Sequence, residues 1–188
     1  LQENWGISLA VMVAEWRGEF ARAVSILEPV PRDWLENFFY FGPTSFLTGW
    51  MRLRAGQVTA AETDFRHALR LIDSRLENTP NDLSLLYYKA EALRLAGRRE
   101  EADKVYQRLC EIWPDTLARL TFEAPDQAVA HIRERLARGF NLGDWPPRWA
   151  FTAASLRLDP IFENARRDPG FAALVAAEEQ REKREWAG

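Results

Sequence analysis

Apolar residues recur at three- and four-residue intervals along the chain, as in the stretch Leu85, Leu86, Lys89, Ala90, Leu93 and Ala96. This is the spacing that lays one stripe of an α-helix against a core. No run alternates apolar and polar residues in the Val-, Ile- and Thr-rich manner of a strand, and no Asn-Gly or Asp-Gly turn is present. The pattern therefore predicts an all-α chain without a sheet. Gly18, Gly56 and Gly97 each follow an amphipathic stretch, where a left-handed residue ends a helix, and each precedes a second helix. Thr59 to Glu62 has capping-box spacing, Asn81-Asp82 after Pro80 supplies another start, and Pro29, Pro31, Pro80 and Pro114 close the second helices. Residues 34–41 are expected to form an extra short helix, and residues 69–79 to prolong the helix before them.

The three helix-turn-helix units share more than a turn. Gly18-Glu-Phe20 with Ala23 and Leu27, Gly56-Gln-Val58 with Ala61 and Phe65, and Gly97-Arg-Arg99 with Ala102 and Tyr106 agree in their offsets. The glycines stand 38 and 41 residues apart, within the range of helical repeat arrays. A small residue five places after the turn lets two helices approach, and a large one four places later fills the space against the next unit.

These residues resemble the tetratricopeptide repeat. The third unit matches at Leu86, Ala90, Leu93, Gly97, Ala102, Tyr106, Leu109 and Pro114; the second keeps Gly49, Gly56, Ala61, Phe65 and Ala68 but has Arg52 where the family has an apolar residue; the first keeps Ala14, Phe20, Ala23 and Leu27. The resemblance implies a right-handed α-solenoid of three helix pairs over residues 1–114, with a degenerate repeat and capping helices over 115–188. Asp126 is expected to cap a helix that runs to Arg138 and ends at Gly139, with a turn at 143–147. Asp159-Pro160 with Phe162, then Asp168-Pro169 with Phe171, resemble the closing segment of bacterial tetratricopeptide-type regions attached to adenylate cyclase, kinase or winged-helix regulator domains. Each Asp-Pro is a helix start, and the two phenylalanines are expected to plug the open end of the array. The charged stretch from Glu178 to Trp186 reads as a solvated, fraying helix end.

Composition narrows the function. The 188 residues carry 25 Lys plus Arg against 28 Asp plus Glu, a formal charge of −3 that gives no overall field for gathering nucleic acid or an anionic membrane. One cysteine, Cys110, and two histidines, His67 and His131, leave no thiol-rich zinc site. Cys110 reads as a buried, inert thiol, and both histidines as non-catalytic. Phosphate-binding loops, metalloprotease motifs and nucleophile elbows are absent, so no catalytic residue, metal or cofactor is nominated. The chain begins without Met or a signal pattern, which predicts a piece of a longer protein, cytoplasmic by preference, or periplasmic if a membrane span precedes it.

What remains is surface. In the family the first helix of each pair lines the ligand groove, and its positions carried over by register are Trp5, Met12, Glu15 and Trp16, then Phe46, Trp50, Leu53 and Arg54, then Tyr87, Glu91, Arg94 and Leu95. Of these, Met12, Trp16, Phe46, Trp50, Arg54, Tyr87, Glu91 and Arg94 are the expected partner-binding groove, suited to a protein or peptide because aromatics and arginine carry interface energy. The Lys and Asn carboxylate clamp of some members is missing, since the matching places hold Ser8, Met12, Phe46, Trp50, Tyr87 and Glu91. The same aromatics could equally fill the core, with Trp145 and Trp149 reaching back into the groove. A docking or sensor module acting on an attached output domain is one expectation. Homo-oligomerisation through an aromatic patch at Trp34, Phe38, Phe39 and Phe41 is the other.

Overall fold

A computed structural model describes residues 2–37, 40–139 and 151–186 of the chain. It divides into two compact units, Leu1–Pro114 and Asp115–Gly188. The first holds α1 (Gln2–Trp16), α2 (Phe20–Leu27), α3 (Thr44–Arg54), α4 (Val58–Leu76), α5 (Leu83–Leu95) and α6 (Arg99–Ile112). Each helix packs on the next, and α3 also meets α5, as stacked pairs require.

The three turns are superposable in their bonding. At Gly18, Gly56 and Gly97 the backbone is left-handed, with φ of 71°, 79° and 77°. The next residue's N–H reaches the carbonyl five back in every case: Glu19 to Ala14 at 2.8 Å, Gln57 to Arg52 at 2.8 Å and Arg98 to Leu93 at 2.9 Å. That bond, with the glycine N–H returning to the carbonyl three back, is a Schellman closure. The second helix then opens with Ala23, Ala61 and Ala102 donating to Glu19, Gln57 and Arg98, each at 3.0 Å, and all three alanines are fully buried. Pair geometry is thus fixed by a residue able to adopt positive φ and by a small side chain five residues later.

Helix starts vary. Asp82 caps α5, its Oδ1 accepting from the Leu85 N–H at 3.0 Å. The capping box expected at Thr59 does not form: α4 already begins at Val58, after Gln57, which makes no side-chain cap bond.

One expectation fails outright. Where a short helix was expected, β1 (Trp34–Glu36) pairs with β2 (Phe41–Pro43) as a β-hairpin, antiparallel in the register Trp34 to Pro43, Leu35 to Gly42 and Glu36 to Phe41. Its anchors are distant in sequence. The Arg75 guanidinium from α4 stacks 3.5 Å above the Trp34 ring and pairs with Glu36 at 2.9 Å. Leu35 is buried with the α1–α2 core, while the Asn37 amide donates to Ser8 Oγ at 2.8 Å. Tyr40 rests 5.3 Å from the Tyr88 ring of α5. Burial pushes the phenols of Tyr40 and Tyr88 well up, although a hydrogen bond with the Phe41 backbone pulls Tyr88 part of the way back.

Arg52, the departure at the second pair, has a structural reason. Its guanidinium bridges Asp64 of α4 at 2.8 Å and Glu28 at the end of α2 at 2.9 Å, tying two pairs together where Leu93 of the third pair packs as a buried apolar residue.

The second unit contains α7 (Arg119–Phe122), α8 (Pro125–Arg138), α9 (Ala153–Leu158), 3-10 turns at Pro160–Phe162 and Ala165–Arg167, and α10 (Phe171–Trp186). Both Asp-Pro pairs act as starts: Asp159 Oδ1 accepts from Ile161 N–H at 3.0 Å and Asp168 Oδ1 from Gly170 N–H at 2.7 Å. Phe162 and Phe171 are buried in this unit's own core with Leu120, Ile132, Phe151 and Leu156. The last helix does not dissolve into solvent. Glu178 is buried and held by Arg181, Glu182 accepts the Ala153 N–H at 3.0 Å, and Arg157 pairs with Glu179 at 2.6 Å. The turn expected at 143–147, with Trp145 and Trp149, lies outside the described residues.

Candidate functional site

Aligned on the hinge glycines, α1, α3 and α5 place four rows of residues on corresponding faces: Ser8, Phe46, Tyr87; Met12, Trp50, Glu91; Glu15, Leu53, Arg94; and Trp16, Arg54, Leu95. These rows contain the expected groove, and the structure sorts them. Phe46 is buried, with its ring 6.1 Å from Phe65 and 5.1 Å from Tyr88, so it is core between the second and third pairs. Glu91 is 2% exposed, and its Oε2 accepts from both Nε and Nη2 of Arg94, at 3.0 and 2.7 Å. Both positions are buried, which corrects the expectation that they line an open face.

The remaining six are half-buried: Met12, Trp16, Trp50, Arg54, Tyr87 and Arg94. Trp50 Nε1 donates to Glu15 Oε1 at 2.6 Å, so its indole is fixed between α3 and α1. Arg54 reaches over the Phe20 ring at 5.0 Å, and Tyr87 stacks edge-on with Tyr88 at 5.2 Å. The surface is a line of partly covered rings with two guanidiniums, each already engaged by its own chain. Such a lining offers flat apolar area at low entropy cost.

Sequence reasoning missed Tyr40, Tyr88 and Arg75, the residues that hold the hairpin. No local signal marks them, because each acts on residues at least 34 positions away or across the hairpin loop. The aromatic patch proposed for self-association is partly spent: Trp34 is covered by Arg75, Phe41 remains exposed, and Phe38 and Phe39 lie outside the described residues. A shallow cavity of about 300 Å³ between α4, α5 and α6 is lined by Leu76, Leu86, Lys89, Lys104 and Arg108, of which Lys89 pairs with Asp73 and Arg108 binds the Pro80 carbonyl.

No metal-holding group of His, Cys, Asp or Glu occurs among the described residues, and no described helix is long and apolar enough to cross a membrane. His67 is half-buried on α4, and Cys110 is half-buried, not enclosed. His131 is buried in the second unit, where desolvation first and the Arg119 charge second lower its imidazole from its ordinary value.

The family model described as the tetratricopeptide repeat matches residues 84–116. The third helix pair is therefore similar to a tetratricopeptide repeat. The match falls on α5 and α6, the pair whose Leu86, Ala90, Leu93, Ala102 and Leu109 are all buried, and its Gly97 turn is the one repeated at Gly56 and Gly18. Searches of curated proteins and of solved structures find no match. Tetratricopeptide repeats generally mediate protein–protein interaction.

Proposed function

We propose that the first unit is a non-catalytic docking module that takes a protein segment along Met12, Trp16, Trp50, Arg54, Tyr87 and Arg94. The observation that carries this reading is the alignment of three first helices presenting half-buried rings in one register, with Trp50 fixed by Glu15. A ring fixed before binding loses little freedom on binding, which is where interface energy concentrates. The two Asp-Pro starts with Phe162 and Phe171 support placement within a larger bacterial signalling protein, such as an adenylate cyclase or a transcription regulator. Occupancy of the groove would there bias the arrangement of an attached output domain. A cytoplasmic setting agrees with the lone cysteine of the sequence, Cys110.

Panning a phage-displayed library of random peptides against the purified protein tests the docking reading. Enriched peptides should compete for one site and lose at least about tenfold in affinity on Trp50→Ala or Arg94→Ala, a typical cost of truncating an interface anchor, with the far-ultraviolet circular dichroism unchanged. Peptides indifferent to both substitutions, or no enrichment at all, would refute it.

A further inference from the structure

The third pair carries cations that the first two lack. Where α5 and α6 flank the end of α4, the cavity of about 300 Å³ is lined by the apolar Leu76, Leu86 and Val105 and by the cations Lys89, Lys104 and Arg108. Counted from the hinge glycines, Lys104 and Arg108 stand where the second pair has Thr63 and His67 and the first has Ser25 and Pro29. Lys89 likewise answers to Thr48 and Ala10. The stacking of pairs therefore does not call for these three charges. Carboxylates cancel only one of them. Lys89 pairs with Asp73 at 2.7 Å, while the neighbouring Glu101 is taken by Arg98 through two bonds of 2.7 and 2.6 Å. Arg108 donates Nη2–H to the Pro80 carbonyl at 2.8 Å and to Asn81 Oδ1 at 2.9 Å, both neutral acceptors. Lys104 forms no ion pair among the described residues, and its charge acts on Glu101 more weakly than that of Arg98.

The geometry points to a binding site for a small amphipathic anion, with a carboxylate or phosphate head between Lys104 and Arg108 and a short apolar body against Leu76, Leu86 and Val105. Size sets the class of ligand. A volume of about 300 Å³ is at the small end of ligand pockets, so the site takes a small molecule and not a helix. Charge sets the sign. Two cations border the cavity with no carboxylate bound to either, and an anion between them gains both interactions without first breaking an internal ion pair. Arg108 is also positioned in advance: the turn at Pro80 and Asn81 holds its Nη2, and its other N–H donors make no bond among the described residues. The apolar wall supplies the rest of the selectivity. Leu86 is buried and Leu76 and Val105 are half-buried, so a hydrocarbon body removes apolar surface from water that a bare inorganic anion would leave wet. None of these residues belongs to the docking rows of α1, α3 and α5, and the site stands independently of that groove.

Amide NMR of the whole isotope-labelled protein, titrated with hexanoate, hexyl phosphate, hexanol and inorganic phosphate, tests this. Hexanoate, hexyl phosphate or both should shift the Leu86 and Val105 resonances saturably, with a dissociation constant on the order of millimolar for so few atoms. Hexanol, which has the body without the charge, and inorganic phosphate, which has the charge without the body, should each bind at least about fivefold more weakly. Lys104 is exposed and makes no ion pair, so Lys104→Gln should fold normally by circular dichroism and weaken the anion about two- to fivefold, the range for one exposed charge pair. Arg108→Gln should weaken it further, but it also releases the turn at Pro80, so Lys104→Gln is the deciding variant. No saturable shift with either organic anion would overturn the assignment. So would hexanol or inorganic phosphate binding as tightly as the organic anions, or binding indifferent to Lys104→Gln. Failure here leaves the groove reading untouched, because no probe or substitution involves Met12, Trp16 or Trp50.

Discussion

The second and third helix pairs make the same turn with different filling. Around Gly56 and Gly97 the Schellman bonds agree to within 0.1 Å, and Ala61 and Ala102 are equally enclosed. Elsewhere the pairs diverge: Gly49 stands against Ala90, Arg52 against Leu93, and Phe65 against Tyr106. At Gly49 a Cβ would lie 3.0 Å from both Asp64 Cβ and the Phe65 ring, so α3 and α4 are closer there than an alanine permits. The smaller residue on α3 admits the fully buried Phe65 on α4, whereas the third pair balances an alanine against a half-buried tyrosine. Turn and small residue set how two helices meet; the large residues only fill the volume that remains.

That difference should be measurable as unequal dependence on the filler. Phe65→Ala is expected to cost about 3–5 kcal/mol, the range for emptying a buried aromatic site. Tyr106→Ala should cost about 1–2 kcal/mol, because its ring already meets solvent in part. Urea denaturation followed by circular dichroism reads both, and equal losses would show that burial at the two positions is alike.

The turns should behave in the opposite way. Gly56→Ala and Gly97→Ala add a Cβ with nothing within 4 Å, so only the positive φ opposes them, at about 1–2 kcal/mol each. Their losses should agree within about 0.5 kcal/mol, the scatter expected of independent sites. A larger gap would mean that the turns, despite identical bonding, store different strain.

The repeated glycine, alanine and large-residue offsets were legible in the sequence because each acts within its own helix pair, over fewer than ten residues. The hairpin was not. Trp34-Leu-Glu has no alternation and no turn dipeptide, and what makes it a strand is Arg75, Tyr88 and Ser8 arriving from three other helices. Glu91 and Glu178 misled for a related reason. A carboxylate on a helix reads as solvated until its neighbours are known, and in each case an arginine three residues on neutralises a group that packing has covered. The groove rows followed from register, but which members remained accessible depended on packing with residues distant in sequence, as Phe46 shows against Phe65 and Tyr88.

Arg52 offers the smallest and most discriminating comparison. Arg52→Leu installs the residue type that the third pair uses at the same place, Leu93, and exchanges an ion-pair strut for apolar packing. Glu28 is 54% exposed and Asp64 16%, so the strut works in partly solvated surroundings and its loss should cost less than about 1 kcal/mol at neutral pH. Its pH dependence identifies the cause. Burial raises the Asp64 carboxyl above its ordinary value while Arg52 pulls it down, so the variant should raise it further. The native variant then holds that proton more tightly than its unfolded chain does. Its deficit relative to the parent is therefore complete at neutral pH, and it shrinks as pH falls through the native Asp64 value toward the ordinary carboxylate range near about 4. A deficit that stays constant on acidification would assign the role of Arg52 to the packing of its methylenes, not to its charge, and would make the second pair's departure from the repeat pattern an apolar substitution after all.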